Sequence, residues 1–167
     1  VGSRSATDLL PLARFLRQHF ALDWHGIHGA AHWTRVRYHG LRLARQSGAR
    51  ADVVTLFAFL HDAERRDDGT DRGHGARGAR LARRLHGEHF RLDAEGLDML
   101  CHAIEFHSAG LVEGDITVRT CWDADRLDLA RLGIRPDPRR LSTAAARDPE
   151  AIARAERMAR AGWGGRS

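Results

Sequence analysis

The chain has 167 residues, enough for one domain with a sizeable core, and carries a formal charge of +5 with histidine counted neutral. No apolar stretch is long enough to cross a membrane, and Asp8, Pro11 and Arg14 interrupt the apolar residues that a secretory leader would need. Every basic residue other than histidine is arginine, interleaved with acidic residues as in Glu64-Arg65-Arg66-Asp67-Asp68, a pattern of solvated helix surface rather than of a nucleic-acid footprint.

In chain order, Leu9, Leu12, Phe15, Leu16, His19 and Phe20 recur at helical spacing. A first helix is expected there, with Asp8 as its cap and Pro11 in its first turn. A second is expected from about Ala30 to Ser47, with His32, Val36, His39 and Leu43 on one face. Gly40 weakens it and Gly48 stops it. Asp52 is then a candidate cap for a third element, an apolar run through Leu60 that ends at His61-Asp62. That run has the length of a buried strand too, but its helical neighbours and the polar tail from Asp62 to Arg66 favour helix.

Asp67 to Gly75 is a polar, glycine-rich loop beside the His61-Asp62 pair. Helices are expected next from about Ala76 to His86 and from Asp93, the latter carrying Leu97, Leu100, Cys101, Ile104 and His107. Asp115 caps another, from about Ile116 to Leu132, with Trp122, Leu127 and Leu129 directed to the core. Asp148-Pro149-Glu150 begins a last helix that continues through Met158, and Gly162-Trp163-Gly164-Gly165 reads as a frayed tail. The expected fold class is therefore all-α, a compact multi-helix bundle, with residues 1–167 forming one metal-binding domain. Cys101 and Cys121 are expected as buried thiols of a cytoplasmic protein rather than as a bridge.

Chemistry concentrates in histidine and aspartate. His32, His61, Asp62 and Asp123 sit beside buried helical sequence and supply two imidazoles and two carboxylates, a donor set for a divalent ion. His61 and Asp62 diverge by roughly 100° on a regular helix, yet at a helix end both can reach one ion. Asp123 lies between Cys121-Trp122 and Leu127, where a buried carboxylate needs a partner or a metal. Such a set leaves positions for water, and Mn, Fe, Co, Ni, Mg or Zn would each suit it.

His28, His74, His102 and His107 are further candidate ligands. His102 and His107 are five residues apart and do not share a face; His107 has the helix-end position. With His74 and His107 both inward, a second ion or a phosphate would sit beside the first. Arg65, Arg66 and Arg126 are candidates for gripping a phosphate through paired donors, and Glu64 and Asp62 for assisting a water. The leading reading is metal-assisted hydrolysis of a nucleotide or another small phosphate ester. The alternatives are a module that binds a nucleotide or ion without turnover, and an arginine-rich nucleic-acid-binding protein whose affinity would fall steeply with salt.

The ordered set His32, His61-Asp62, Asp123 resembles the HD-domain superfamily of metal-dependent phosphohydrolases, over about Trp24 to Gly133. The flanks extend the likeness. His28-Gly29-Ala30-Ala31-His32-Trp33-Thr34-Arg35-Val36 looks like the first-histidine segment of a small bacterial branch, and Phe57-Ala58-Phe59-Leu60-His61-Asp62 like its namesake pair. Asp71-Arg72-Gly73-His74-Gly75, Ile104-Glu105-Phe106-His107 and Trp122-Asp123-Ala124-Asp125-Arg126-Leu127-Asp128 look like its later segments. The resemblance implies a helical core around a divalent metal held by His32, His61, Asp62 and Asp123. It also implies that a second metal, where present, would draw on His74 and on His102 or His107. The spacing of Glu64 after the central pair departs from members in which a following carboxylate serves the water.

Overall fold

A computed structural model of the chain describes residues 9–162, so the Asp8 cap and Trp163-Gly164-Gly165 lie outside the described residues. Helices α1 (Leu10–His19), α2 (Ala30–Ser47), α3 (Ala51–Leu60), α4 (His74–Leu85), α5 (Ala94–Phe106), α6 (Ile116–Leu127), α7 (Ala144–Arg147) and α8 (Pro149–Arg160) make an all-α bundle. Short 3-10 turns run over Asp128–Leu132 and Pro138–Arg140. The residues between Val53 and Leu60 are helical, as their neighbours suggest.

Helix ends follow local chemistry. Asp93 accepts from the Gly96 amide, Asp115 from Thr117 and Asp148 from Glu150, each satisfying a donor that the first turn leaves open. Gly48 ends α2 at φ 76°, a left-handed conformation that costs glycine nothing. The elements depart from the sequence expectation at several points. α3 begins at Ala51 after Arg50, so Asp52 lies in its first turn instead of capping it. α4 begins at His74 rather than Ala76. α6 stops at Leu127, and its continuation tightens into the 3-10 turn that closes at Gly133. The short α7 follows Thr143, whose hydroxyl accepts from the Ala146 amide.

α2 packs against α3 and α6, while α5 packs against α3, α4 and α6. Trp33, Phe57, Leu60, Leu100, Ile104 and Trp122 are fully buried at the centre of this arrangement. Burying side chains of this size stabilises by about 1.5–3 kcal/mol each. Gly40 explains how the three helices meet. A Cβ there would stand 2.5 Å from Val54 Cγ1 and 3.3 Å from Ala124 Cβ, so the residue that weakens α2 in isolation lets α3 and α6 approach it. A smaller core of Leu43, Leu127, Leu141, Ala146, Ile152 and Ala155 seats α8 on the turn after α6. Cys101 and Cys121 are buried and free. No helix among the described residues is long and apolar enough to cross a membrane.

Candidate metal centre

His32 projects from the first turn of α2, and His61 and Asp62 from the turn that ends α3. His74 opens α4 and His107 follows the last residue of α5. All five are buried, His32 and His61 completely. They form two clusters able to chelate a divalent metal ion, His32-His61-Asp62 and Asp62-His74-His107, with Asp62 common to both.

The imidazole tautomers follow from the neighbours. His32 Nδ1 donates to Asp128 Oδ2 at 2.7 Å, and His107 Nδ1 to the Ile104 carbonyl at 2.7 Å. His61 Nδ1 faces the carbonyls of Phe57 and Ala58 at 3.1 and 3.2 Å, and His74 Nδ1 donates to the Asp71 carbonyl. Each of these partners only accepts, so all four Nδ1 atoms carry hydrogen and the four Nε2 atoms of neutral rings present lone pairs. Those lone pairs are then brought face to face: His32 and His61 Nε2 are 3.0 Å apart, and His74 and His107 Nε2 are 2.9 Å apart. Two unprotonated acceptors at such distances repel unless a cation or a proton joins them. Donors about 2.0–2.1 Å from one ion and at right angles stand about 3 Å apart, so the spacing fits a shared metal.

Asp62 lies between the pairs. Its Oδ1 is 3.4 Å from His74 Nε2 and 3.5 Å from His107 Nε2. Its Oδ2 is 3.7 Å from His32 Nε2 and 3.8 Å from His61 Nε2. His28 Nδ1 donates to Oδ2 at 2.8 Å and Arg65 Nε to Oδ1 at 3.1 Å, fixing the carboxylate plane from both sides. Arg65 also donates to the carbonyls of Asp67 and Gly69, tying the glycine-rich loop to Asp62.

Burial would raise the Asp62 carboxyl, but the imidazoles of His61 and His107 around it and the hydrogen bond from His28 hold it well below the usual carboxylate range. Burial, with Arg131 adding to it, pushes His32 down to about 4. His61 rises instead, because Asp62 and Asp125 outweigh its burial.

Asp123 does not join this group. Its carboxylate accepts from the Ser142 amide at 2.8 Å and from the Thr143 amide and hydroxyl at 2.7 and 2.8 Å. The buried carboxylate has found its partners in the segment before α7. The carboxylate that faces His32 and His61 is Asp125, whose Oδ1 lies 3.4 and 3.6 Å from their Nε2 atoms. Residues two apart on a helix point roughly 200° away from each other, so only one of the two aspartates can face the centre. Asp128, one turn beyond Asp125, orients His32 and is itself held by Arg35 through Nε at 2.7 Å and Nη2 at 3.2 Å. An outer carboxylate behind a metal-binding imidazole is the usual device for fixing ring and tautomer. The Asp125-x-x-Asp128 spacing was the sequence signal for both residues.

The remaining candidates are dispersed. His28 lies before α2 and reaches Asp62 by a hydrogen bond. His102 is exposed and packs on Phe106 and Trp122, away from the two clusters. Glu64 is half-buried and its carboxylate is 3.8 Å from Arg84. Arg66 is exposed; its backbone amide donates to Asp71. Arg126 Nη1 donates to the Arg140 carbonyl at 2.9 Å and to Ser142 Oγ at 3.4 Å, while Nη2 donates to the Leu111 carbonyl. Its guanidinium braces a cavity wall. That cavity, about 820 Å³, is lined by His107 and Asp125 on the side of the centre. A smaller one, about 340 Å³, reaches His74 past Arg65 and the loop. No family model, curated protein or solved structure matches the chain.

Proposed function

We propose that the chain is a divalent-metal-dependent phosphohydrolase acting on a nucleotide or another small phosphate ester. The observation that carries this reading is the pair of facing Nε2 couples with one Asp62 oxygen turned toward each. His32, His61, Asp125 and Asp62 Oδ2 would hold one ion, and His74, His107 and Asp62 Oδ1 a second. Divalent ions held there supply Lewis acidity, lowering the pKa of water and polarising a phosphoryl oxygen.

The chain's own residues supply orientation and access. Asp128 and four backbone carbonyls fix the histidine rings, so little reorganisation accompanies binding. Arg65 and His28 hold the shared carboxylate, with Arg65 acting as a positioning residue rather than as the phosphate clamp its sequence position suggested. The cavity beside His107 and Asp125 admits a small organic molecule, and its arginines favour an anion. His32 and His61-Asp62 resemble the ordered residues of the HD-domain superfamily, whose members hydrolyse phosphate esters, and this supports the same choice, with Asp125 facing the centre where the likeness had assigned Asp123. Glu64 is left out of the reaction, since its carboxylate is turned to Arg84.

The test is elemental analysis of the full chain reconstituted with Mn²⁺, paired with a phosphate-release assay on small phosphate monoesters. Two ions per chain and metal-dependent turnover are expected. Asp62→Asn should lower both, turnover by more than the roughly 10–100-fold typical of losing an outer hydrogen-bond partner. Unchanged ion content and turnover in that variant would defeat the reading.

A further inference from the structure

The larger cavity is built unevenly. His107 and Asp125 bring it to the metal centre, Leu129 and Ile134 give it an apolar wall, and Arg135 and Arg140 add cationic charge. The arginines around it are not equivalent. Arg126 has its donors committed to carbonyls and a hydroxyl. Arg135 is 3.8 Å from Glu156, a weak exposed pairing. The Arg140 guanidinium has no hydrogen-bond or ion-pair partner among the described residues, and it is exposed.

Arg140 is nevertheless not on a loose strand. Its amide donates to the Asp137 carbonyl at 2.9 Å and its own carbonyl accepts from Arg126 at 2.9 Å. Pro136 before it and Leu141 after it are buried. The cation is therefore presented to the cavity from a pinned turn, which reduces the entropy lost when it grips a ligand.

Charge then argues for what it grips. The two carboxylates at the centre, Asp62 and Asp125, would offset half the charge of two divalent ions, and the remainder matches one phosphate monoester dianion. Asp137 also lines the cavity, but its carboxylate is held by Arg139 at 2.9 Å, so Arg135 and Arg140 exceed what that phosphate requires. We infer that the substrate is a small organic phosphate whose apolar, ring-sized body carries a second anionic group, and that Arg140 recognises that group. The phosphate end of this assignment rests on the hydrolase reading; the second-anion end does not depend on turnover.

The test uses matched non-hydrolysable ligands, phenylphosphonate and 4-phosphonobenzoate, which differ by one carboxylate. Calorimetry on the Mn²⁺-loaded full chain should give roughly tenfold tighter binding of the carboxylated compound, as one charge-assisted hydrogen-bonded pair would supply. Arg140→Gln should bring the ratio of the two affinities close to one, and Arg140→Lys should restore part of it. A purely structural role would weaken both compounds alike and leave the ratio unmoved. Equal binding in the wild type, no binding of either compound, or a ratio that survives in Arg140→Gln overturns the inference. An intact ratio without hydrolysis of phenyl phosphate supports the pocket assignment and instead removes the hydrolase reading.

Discussion

Asp123 and Asp125 are separated by one residue and have opposite surroundings. Asp123 meets two amides and a hydroxyl; Asp125 meets two imidazoles. Their asparagine variants should therefore part company. Asp123→Asn should cost about 2–3 kcal/mol in urea unfolding, the scale of losing charged acceptors, while the folded protein keeps its ion content. Asp125→Asn should weaken ion binding at least tenfold, read by metal titration against a competing chelator. The reverse pattern would return Asp123 to the ligand set. The sequence carried His32, His61 and Asp62 to the centre because they border unmistakable apolar helix. It could not choose between the two aspartates, since that choice is made by Ser142 and Thr143, which fold back onto α6 from 19 and 20 residues downstream.

The helices hold the histidines by close backbone approach as much as by side-chain packing. A Cβ at Gly75 would lie 2.5 Å from the Glu105 carbonyl oxygen and 2.9 Å from that of Ile104. Gly75 follows His74, and those carbonyls lie just before His107, so this contact sets how far apart the two imidazoles stand. Gly75→Ala should destabilise by about 1–3 kcal/mol, as overpacking does. It should also weaken ion binding at His74-His107 more than at His32-His61, seen as unequal losses in the two phases of a metal titration. Equal losses would show that the α4–α5 contact does not govern the second cluster. Most elements were legible from period and caps: α2 and α8 begin where glycine and Asp-Pro chemistry start them. The end of α6 was not, because nothing local distinguishes an α-helix from the tighter turn that lets Asp128 swing back under His32.

At the scale of the molecule, buried histidines tie stability to pH. His39 is buried, and its Nε2 has no hydrogen-bond partner among the described residues. Burial pushes its pKa down to about 4, against the attraction of Asp128. A depressed imidazole refuses protons that the unfolded chain accepts. Its contribution is therefore complete above about pH 6.5 and is lost progressively as pH falls toward 4, by about 3 kcal/mol in all. Urea unfolding of chelator-treated protein at pH 7 and pH 4.5 should show a smaller acid loss in His39→Gln than in the wild type; equal losses would remove His39 as a source of the slope.

The three bonds to Asp123 make Ser142 and Thr143 a clasp, and the clasp has an architectural consequence. A fragment ending at Gly133 would contain all of the candidate ligands, yet it would leave Asp123 stripped of its donors and the groove beside the two histidine clusters without Arg135 and Arg140. The stretch that looks like an appendage to the histidine-bearing helices is thus the lower jaw of the cavity beside them.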